Sequence, residues 1–303
     1  MKRNVGTIIL SVLMVLLSLT ACNFTNQTVE SKKDIYRFEY YANDEVFDIE
    51  KVSLNDNLAE KCNTYKFTYL SDGYKIKAYI SIPISAINSQ KPAKCLMYNR
   101  GGNVNIGLLD DSTTANICSA CDRIVIATQY RGAGGSEGKD EFGGKDLNDV
   151  IKLIDLCEKN FTFIDMDDFC VAGVSRGGMM TYMSARQDNR IKRIISVSGV
   201  SDLAQAYNAR EDMRTLLNNS IGYTPQDNPA EYEKRSAICW YDEIKIPVLI
   251  IHSTQDEMVP YEQAEEIYNK LKNSTECRMV THNDNVHGLH SEDFKTINEW
   301  LNK

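Results

Sequence analysis

The chain has 303 residues, 43% of them apolar and 25% charged, with a formal net charge of −8. An acidic surface repels the phosphate backbone and sets nucleic-acid partners aside, while the apolar share suits a domain with a packed core rather than a disordered or fibrous chain. No internal repeat and no low-complexity tract interrupts it.

The N-terminus reads as an export signal. Lys2 and Arg3 form a charged start, Val5 to Leu19 is an apolar run short for a membrane span, and Leu19-Thr20-Ala21-Cys22 follows. This pattern resembles the lipobox of bacterial lipoproteins. The resemblance implies a signal peptide over residues 1–21 and an acylated Cys22 that becomes the first mature residue, tethering the protein to the outer face of the cell membrane. An uncleaved anchor and an ordinary secretory signal are the alternatives. Removal of Lys2 and Arg3 would take the charge from −8 to −10. Residues 22–60 read as a spacer and N-terminal segment, and 61–303 as one catalytic domain.

From there the pattern alternates. Two strands are expected near 64–70 and 73–82, then a strand near 94–99 that runs into the loop Asn99-Arg100-Gly101-Gly102-Asn103. A helix near 112–120, a strand near 123–128 and a helix near 146–158 follow. The strand near 168–173 leads through Gly173-Val174-Ser175-Arg176-Gly177 into a helix near 177–187. A strand near 191–197 precedes residues 202–240, which break the rhythm and read as a helical cap. The strand near 247–252 ends just before Asp256, a helix spans 260–272, and the strand near 277–281 is followed by a loop holding His287 and a last helix near 291–302. Strands alternating with helices after the first pair predict a mostly parallel, eight-stranded sheet with helices on both faces and a small helical cap.

Ser175 between glycines, at a sharp turn from strand to helix, has the form of a nucleophile elbow. A serine hydroxyl is a weak nucleophile at neutral pH, so it needs an imidazole to take its proton and a carboxylate to orient that imidazole. Asp256 beyond a strand tip and His287 in a later loop supply them. The chain order serine, acid, histidine is that of the α/β-hydrolases. Asp256 could instead serve as a helix N-cap. Among the four histidines, His252 reads as structural at the end of its strand, His282 ends the last strand and His290 falls in the final helix, which leaves His287 as the base. An oxyanion needs donors aimed at it: the backbone N–H of Arg176, and a group in the loop near Arg100. Arg131, Asp146 and Asp149 read as structural ion pairs and caps.

Taken in order, Tyr98 to Asn103, Tyr130-Arg131-Gly132 with Gly135-Ser136-Glu137-Gly138, Phe142 to Val150, Asn228 to Ser236 and Pro247 to Pro260 resemble the landmarks of the prolyl oligopeptidase family of serine peptidases. The resemblance runs from about residue 64 to the C-terminus. It implies Ser175 as nucleophile, Asp256 as acid and His287 as base, with oxyanion donors from Arg176 and near Arg100. Where many members of the family carry tyrosine or histidine before Gly-Gly, this chain has Arg100, which points to a backbone donor. Fewer than fifty residues separate Cys22 from the hydrolase pattern, too few for the β-propeller of the best-known members.

Eight cysteines remain after Cys22. Cys95 and Cys170 fall in core strands and Cys157 in a helix, where a thiol packs as a small apolar group, so a disulfide framework is not expected. Cys118 and Cys121 have metal-ligand spacing without a second pair, so no metal and no cofactor are expected. The function expected is a serine hydrolase cleaving short peptides through an acyl-enzyme. A carboxylesterase acting on small or sugar-linked acyl esters is the alternative, and a non-catalytic ligand-binding lipoprotein is the alternative of another class. Peptides or small esters are the expected partners, together with the membrane through Cys22; the sequence leaves the oligomeric state open.

Overall fold

The computed structural model describes residues 34–303, which form one compact unit. The expected signal peptide and Cys22 lie outside the described residues. Among those described, no helix is long and apolar enough to cross a membrane.

Nine strands make one sheet: β1 (Val46–Lys51), β2 (Cys62–Ser71), β3 (Tyr74–Pro83), β4 (Ala93–Asn99), β5 (Ile124–Thr128), β6 (Ile164–Val174), β7 (Arg193–Val197), β8 (Val248–Ser253) and β9 (Cys277–His282). The helices are α1 (Asp56–Ala59), α2 (Ile84–Ser89), α3 (Thr113–Cys121), α4 (Asp146–Lys159), α5 (Arg176–Gln187), α6 (Leu203–Ala209), α7 (Glu211–Ile221), α8 (Pro229–Glu233), α9 (Tyr261–Leu271) and α10 (Asp293–Leu301). The strand order is β1-β2-β3-β5-β4-β6-β7-β8-β9. Pairing is antiparallel from β1 through β3 to β5 and parallel from β5 to β9. Every residue of β5 and of β8 is buried, as expected of parallel strands covered by helices on both faces.

This is the α/β-hydrolase architecture, with one strand more than the expected eight. The additional strand, β1, lies in the segment read from sequence as leading into the domain. The compact unit begins at Asp34 rather than at residue 61. Phe38 explains why: it is fully buried against the rings of Tyr65, Phe67, Phe161 and Phe163, at centroid distances of 5.1–6.1 Å. Such aromatic pairs add about 0.5–1.5 kcal/mol each beyond the area they bury. Residues 202–240 form α6, α7 and α8, the expected cap. His290 is not in the last helix: the chain turns at His290 and α10 starts at Asp293, whose carboxylate accepts the His290 backbone N–H at 2.8 Å.

Candidate active site

An open parallel sheet gathers its loops at the carboxyl ends of its strands. Ser175 follows the last residue of β6, Asp256 lies three residues beyond β8, and His287 lies five beyond β9. The order β6-β7-β8-β9 therefore collects all three on one edge.

Ser175 sits at φ 59°, ψ −123°, a left-handed backbone that side-chain-bearing residues adopt at a cost on the order of 1–3 kcal/mol. The surroundings hold it there. Its N–H donates to Val197 O at 2.9 Å, and its carbonyl accepts from Gly178 N at 2.9 Å. The flanking glycines are needed for clearance: a Cβ on Gly173 would meet Gly177 O at 2.2 Å, and one on Gly177 would meet Asn99 O at 2.0 Å. Arg176 opens α5, directly after the serine, where a backbone N–H has no partner within the helix.

Across from the elbow lies the loop after β4. A Cβ on Gly101 would stand 2.9 Å from Val174 O and 3.4 Å from Ser175 Cβ, so the loop backbone packs directly on the elbow. The Arg100 guanidinium turns inward: Nε donates to Gln129 O at 2.9 Å, and Nη1 to Gly101 O at 3.0 Å and Ile106 O at 3.1 Å. It braces the loop from within, over the face of Tyr130. The Arg176 side chain does the same from the helix. It is fully buried, donates to both oxygens of Asp140 at 2.7 Å and to Asp146 at 2.5 Å, and reaches Gly102 O at 3.2 Å. Burial disfavours its charge, but Asp146 and Asp140 outweigh that and raise its pKa further. Asp140 in turn accepts from Val104 N at 3.1 Å. One buried ion network thus fixes the glycine loop against α5, and the sequence carries no spacing that would announce it. Asp146 and the Arg131–Asp149 pair, joined at 2.7 Å, take the structural roles read for them.

Asp256 is buried and its carboxylate receives four donors. Oδ1 accepts from Met258 N at 2.8 Å and Val259 N at 3.0 Å; Oδ2 meets His287 Nδ1 at 2.8 Å and His252 Nε2 at 3.4 Å. Burial works against the charge, but the hydrogen bonds from His252, His287 and the Val259 amide hold the carboxyl well below its ordinary range. An ionised carboxylate only accepts, so Nδ1 of His287 carries the proton and Nε2 is left with a free lone pair. That is the tautomer a general base needs. The acid–base pair is made; Ser175 Oγ is not joined to His287 by a hydrogen bond, a link that commonly tightens only when substrate is bound. His252 is the residue sequence reading passed over as merely structural. Its Nε2 bonds to Val259 O at 2.9 Å, and since a carbonyl can only accept, that nitrogen is the donor shared with Asp256. The other histidines stand apart, His282 on Asp293 and His290 on Asp284, each at 2.8 Å.

Ser175 opens into a cavity of about 420 Å³. Ile106 of the glycine loop, Met213 and Leu216 of the cap and Met258 of the Asp256 loop are among its apolar lining, and Arg210 and Asp212 of the cap bring charge to the same wall. The eight described cysteines are free thiols, Cys118 and Cys121 buried among them.

The model of the prolyl oligopeptidase family matches residues 110–303. An uncharacterised peptidase of Bacillus subtilis, YtmA, is 30% identical over 211 residues, covering 69% of this chain and 79% of that protein. Dipeptidyl-peptidase 5 of Aspergillus oryzae is 26% identical over 256 residues, covering 78% of this chain but 35% of the fungal protein. Among solved structures, acylaminoacyl peptidase of Pyrococcus horikoshii superposes with a TM-score of 0.69 at 18% identity, over 86% of this chain and 48% of that one. Acetyl xylan esterase 1 of a Thermoanaerobacterium species gives 0.63 at 17% identity, over 89% and 93%. The two structural likenesses concern the fold. The matched family model and the relative of like length carry the further conclusion, that this chain belongs to the prolyl oligopeptidase family.

Proposed function

We propose that the protein is a serine-type peptidase that cleaves short peptides through an acyl-enzyme on Ser175, held at the outer face of a bacterial cell membrane by lipid on Cys22. The observation that carries the chemistry is the 2.8 Å contact between Asp256 and Nδ1 of His287, on the same carboxyl edge of the sheet as a serine held in the strained backbone of an elbow. In the proposed cycle Nε2 of His287 takes the Ser175 proton as Oγ attacks the substrate carbonyl. The oxyanion is received by the Arg176 N–H and a backbone N–H of the Arg100–Gly102 loop. His287 then gives its proton to the leaving amine, and water, deprotonated by the same imidazole, releases the acid and restores Ser175. The apolar wall of the cavity favours an apolar acyl-side residue.

A carboxylesterase is the second reading, and one observation favours it. The chain spans 93% of the acetyl xylan esterase against 48% of the acylaminoacyl peptidase, so the fold described here comes close to the whole of an esterase. Comparing kcat/KM for dipeptidyl and N-acyl-aminoacyl amides with that for p-nitrophenyl acetate and butyrate decides between them. The proposal expects turnover of amides with apolar residues on the acyl side. Ester cleavage beyond the intrinsic reactivity gap, with no amide turnover, would leave the esterase.

A further inference from the structure

The loop that carries His287 is closed at its root by a second group of side chains, which the proposed reaction does not use. His282 is the last residue of β9, His290 ends the loop, and Asp293 is the first residue of α10. His282 Nε2 lies 2.8 Å from Asp293 Oδ1, and His290 Nδ1 lies 3.7 Å from Asp293 Oδ2. One ligand atom from each of the three falls within 4.8 Å of the others, and the two imidazole centroids are 4.0 Å apart. Asp293 is buried and both imidazoles are mostly covered.

The orientation of His290 is the informative part. Its Nε2 meets the Asp284 carboxylate at 2.8 Å, so that nitrogen carries the proton. In the neutral ring Nδ1 is then a lone pair; it is buried, has no hydrogen-bond partner, and faces a carboxylate oxygen. Two acceptors turned toward each other are compensated either by a proton on Nδ1, which makes His290 an imidazolium between Asp284 and Asp293, or by a metal cation between them. A histidine whose far N–H is held by a carboxylate while its near nitrogen is free has the arrangement of a metal-ligating histidine with its outer-shell partner.

We propose that His282, His290 and Asp293 bind one divalent transition-metal ion of the zinc class. Two imidazole nitrogens and one carboxylate suit such an ion, with water completing the shell. Ligation at about 2.0–2.2 Å would replace the His282 Nε2–Asp293 Oδ1 hydrogen bond, releasing its proton, and would draw the three side chains around the ion. The ion would strap the two ends of the His287 loop together and so set how His287 stands toward Ser175. This last consequence rests on the triad reading; the site itself does not.

The test is zinc calorimetry together with cobalt(II) visible absorption on the full chain carrying Cys239→Ser, which removes the exposed thiol. The expected result is one ion per chain and a rise in Tm on adding zinc. His282→Ala and His290→Ala should each weaken binding at least tenfold, while Ser175→Ala and His287→Ala stay within about twofold of the parent. No binding to the parent at millimolar zinc would overturn the site, as would affinity unchanged by both ligand variants. Loss of binding in His287→Ala alone would move the ion to the triad and equally overturn it. Should the alanine variants fail to fold, His290→Gln and the parent titration decide. A protein that binds zinc but takes no serine-directed probe would leave the metal site standing and the triad reading fallen.

Discussion

Asp256 is the residue on which the site's electrostatics turn. Four donors converge on it, two of them backbone amides of its own loop and two imidazoles, His252 from β8 and His287 from the loop after β9. In the proposed reaction His287 is the partner with the chemical task, while His252 lies 3.4 Å from the carboxylate on its other side. A hydrogen bond to a charged group is worth about 1.5–3 kcal/mol, so His252→Phe is expected to lower kcat/KM roughly 10- to 100-fold with KM little changed. Full activity of the His252→Phe protein would reduce His252 to a packing role. Ser175, Asp256 and His287 were legible in the sequence because each follows a strand that pattern alone reveals. His252 was not, since its donor role depends on the Val259 carbonyl folding back over it at 2.9 Å, a contact made by loop geometry rather than spacing.

At the scale of elements, the elbow between β6 and α5 bears most of the constraint. Gly177 sits in the first turn of α5, where replacing glycine by alanine would ordinarily favour a helix by about 1 kcal/mol. Here the added Cβ would meet Asn99 O at 2.0 Å and Arg100 O at 2.9 Å, both backbone atoms of the oxyanion-side loop. Gly177→Ala should therefore destabilise, by about 1–3 kcal/mol or more, and displace that loop; a lowered Tm with activity lost at temperatures where the fold persists is the expected result. A raised Tm would show that the loop yields easily. The strands from β2 to β9 lie within a few residues of their expected places because buried runs such as Val248–Ser253 leave little choice. β1 escaped notice for a physical reason: Val46–Lys51 carries two acids and a lysine, has a left-handed residue at Asp48, and breaks register between Phe47 and Glu50. A bulged, half-exposed edge strand shows no clean alternation. His290 was drawn into α10 by the helical pattern behind it, whereas the Asp293 carboxylate caps the turn before the helix begins.

At the scale of the whole molecule, the sheet edge and the cap of α6 to α8 frame the candidate site, and the proposed lipid at Cys22 would place it next to a membrane. Two acyl chains contribute about 0.8 kcal/mol per buried CH₂, enough for lasting attachment without a spanning helix. Cys22→Ser should thus move the protein from the membrane fraction to the soluble one; retention with residues 1–21 still attached, read by intact mass, would favour an uncleaved anchor. The cap residues Met213 and Leu216 share one cavity wall with Met258, so substrate choice and the Asp256 loop are linked through the same surface. The proposed chemistry rests on Ser175 as the nucleophile. The most direct measurement is reaction of the full chain with a fluorophosphonate probe, followed by mass spectrometry of its peptides. One adduct per chain on Ser175 is predicted, absent in Ser175→Ala and slowed by a factor on the order of 10⁴ in His287→Ala; an adduct on another residue, or undiminished labelling of Ser175→Ala, would contradict it.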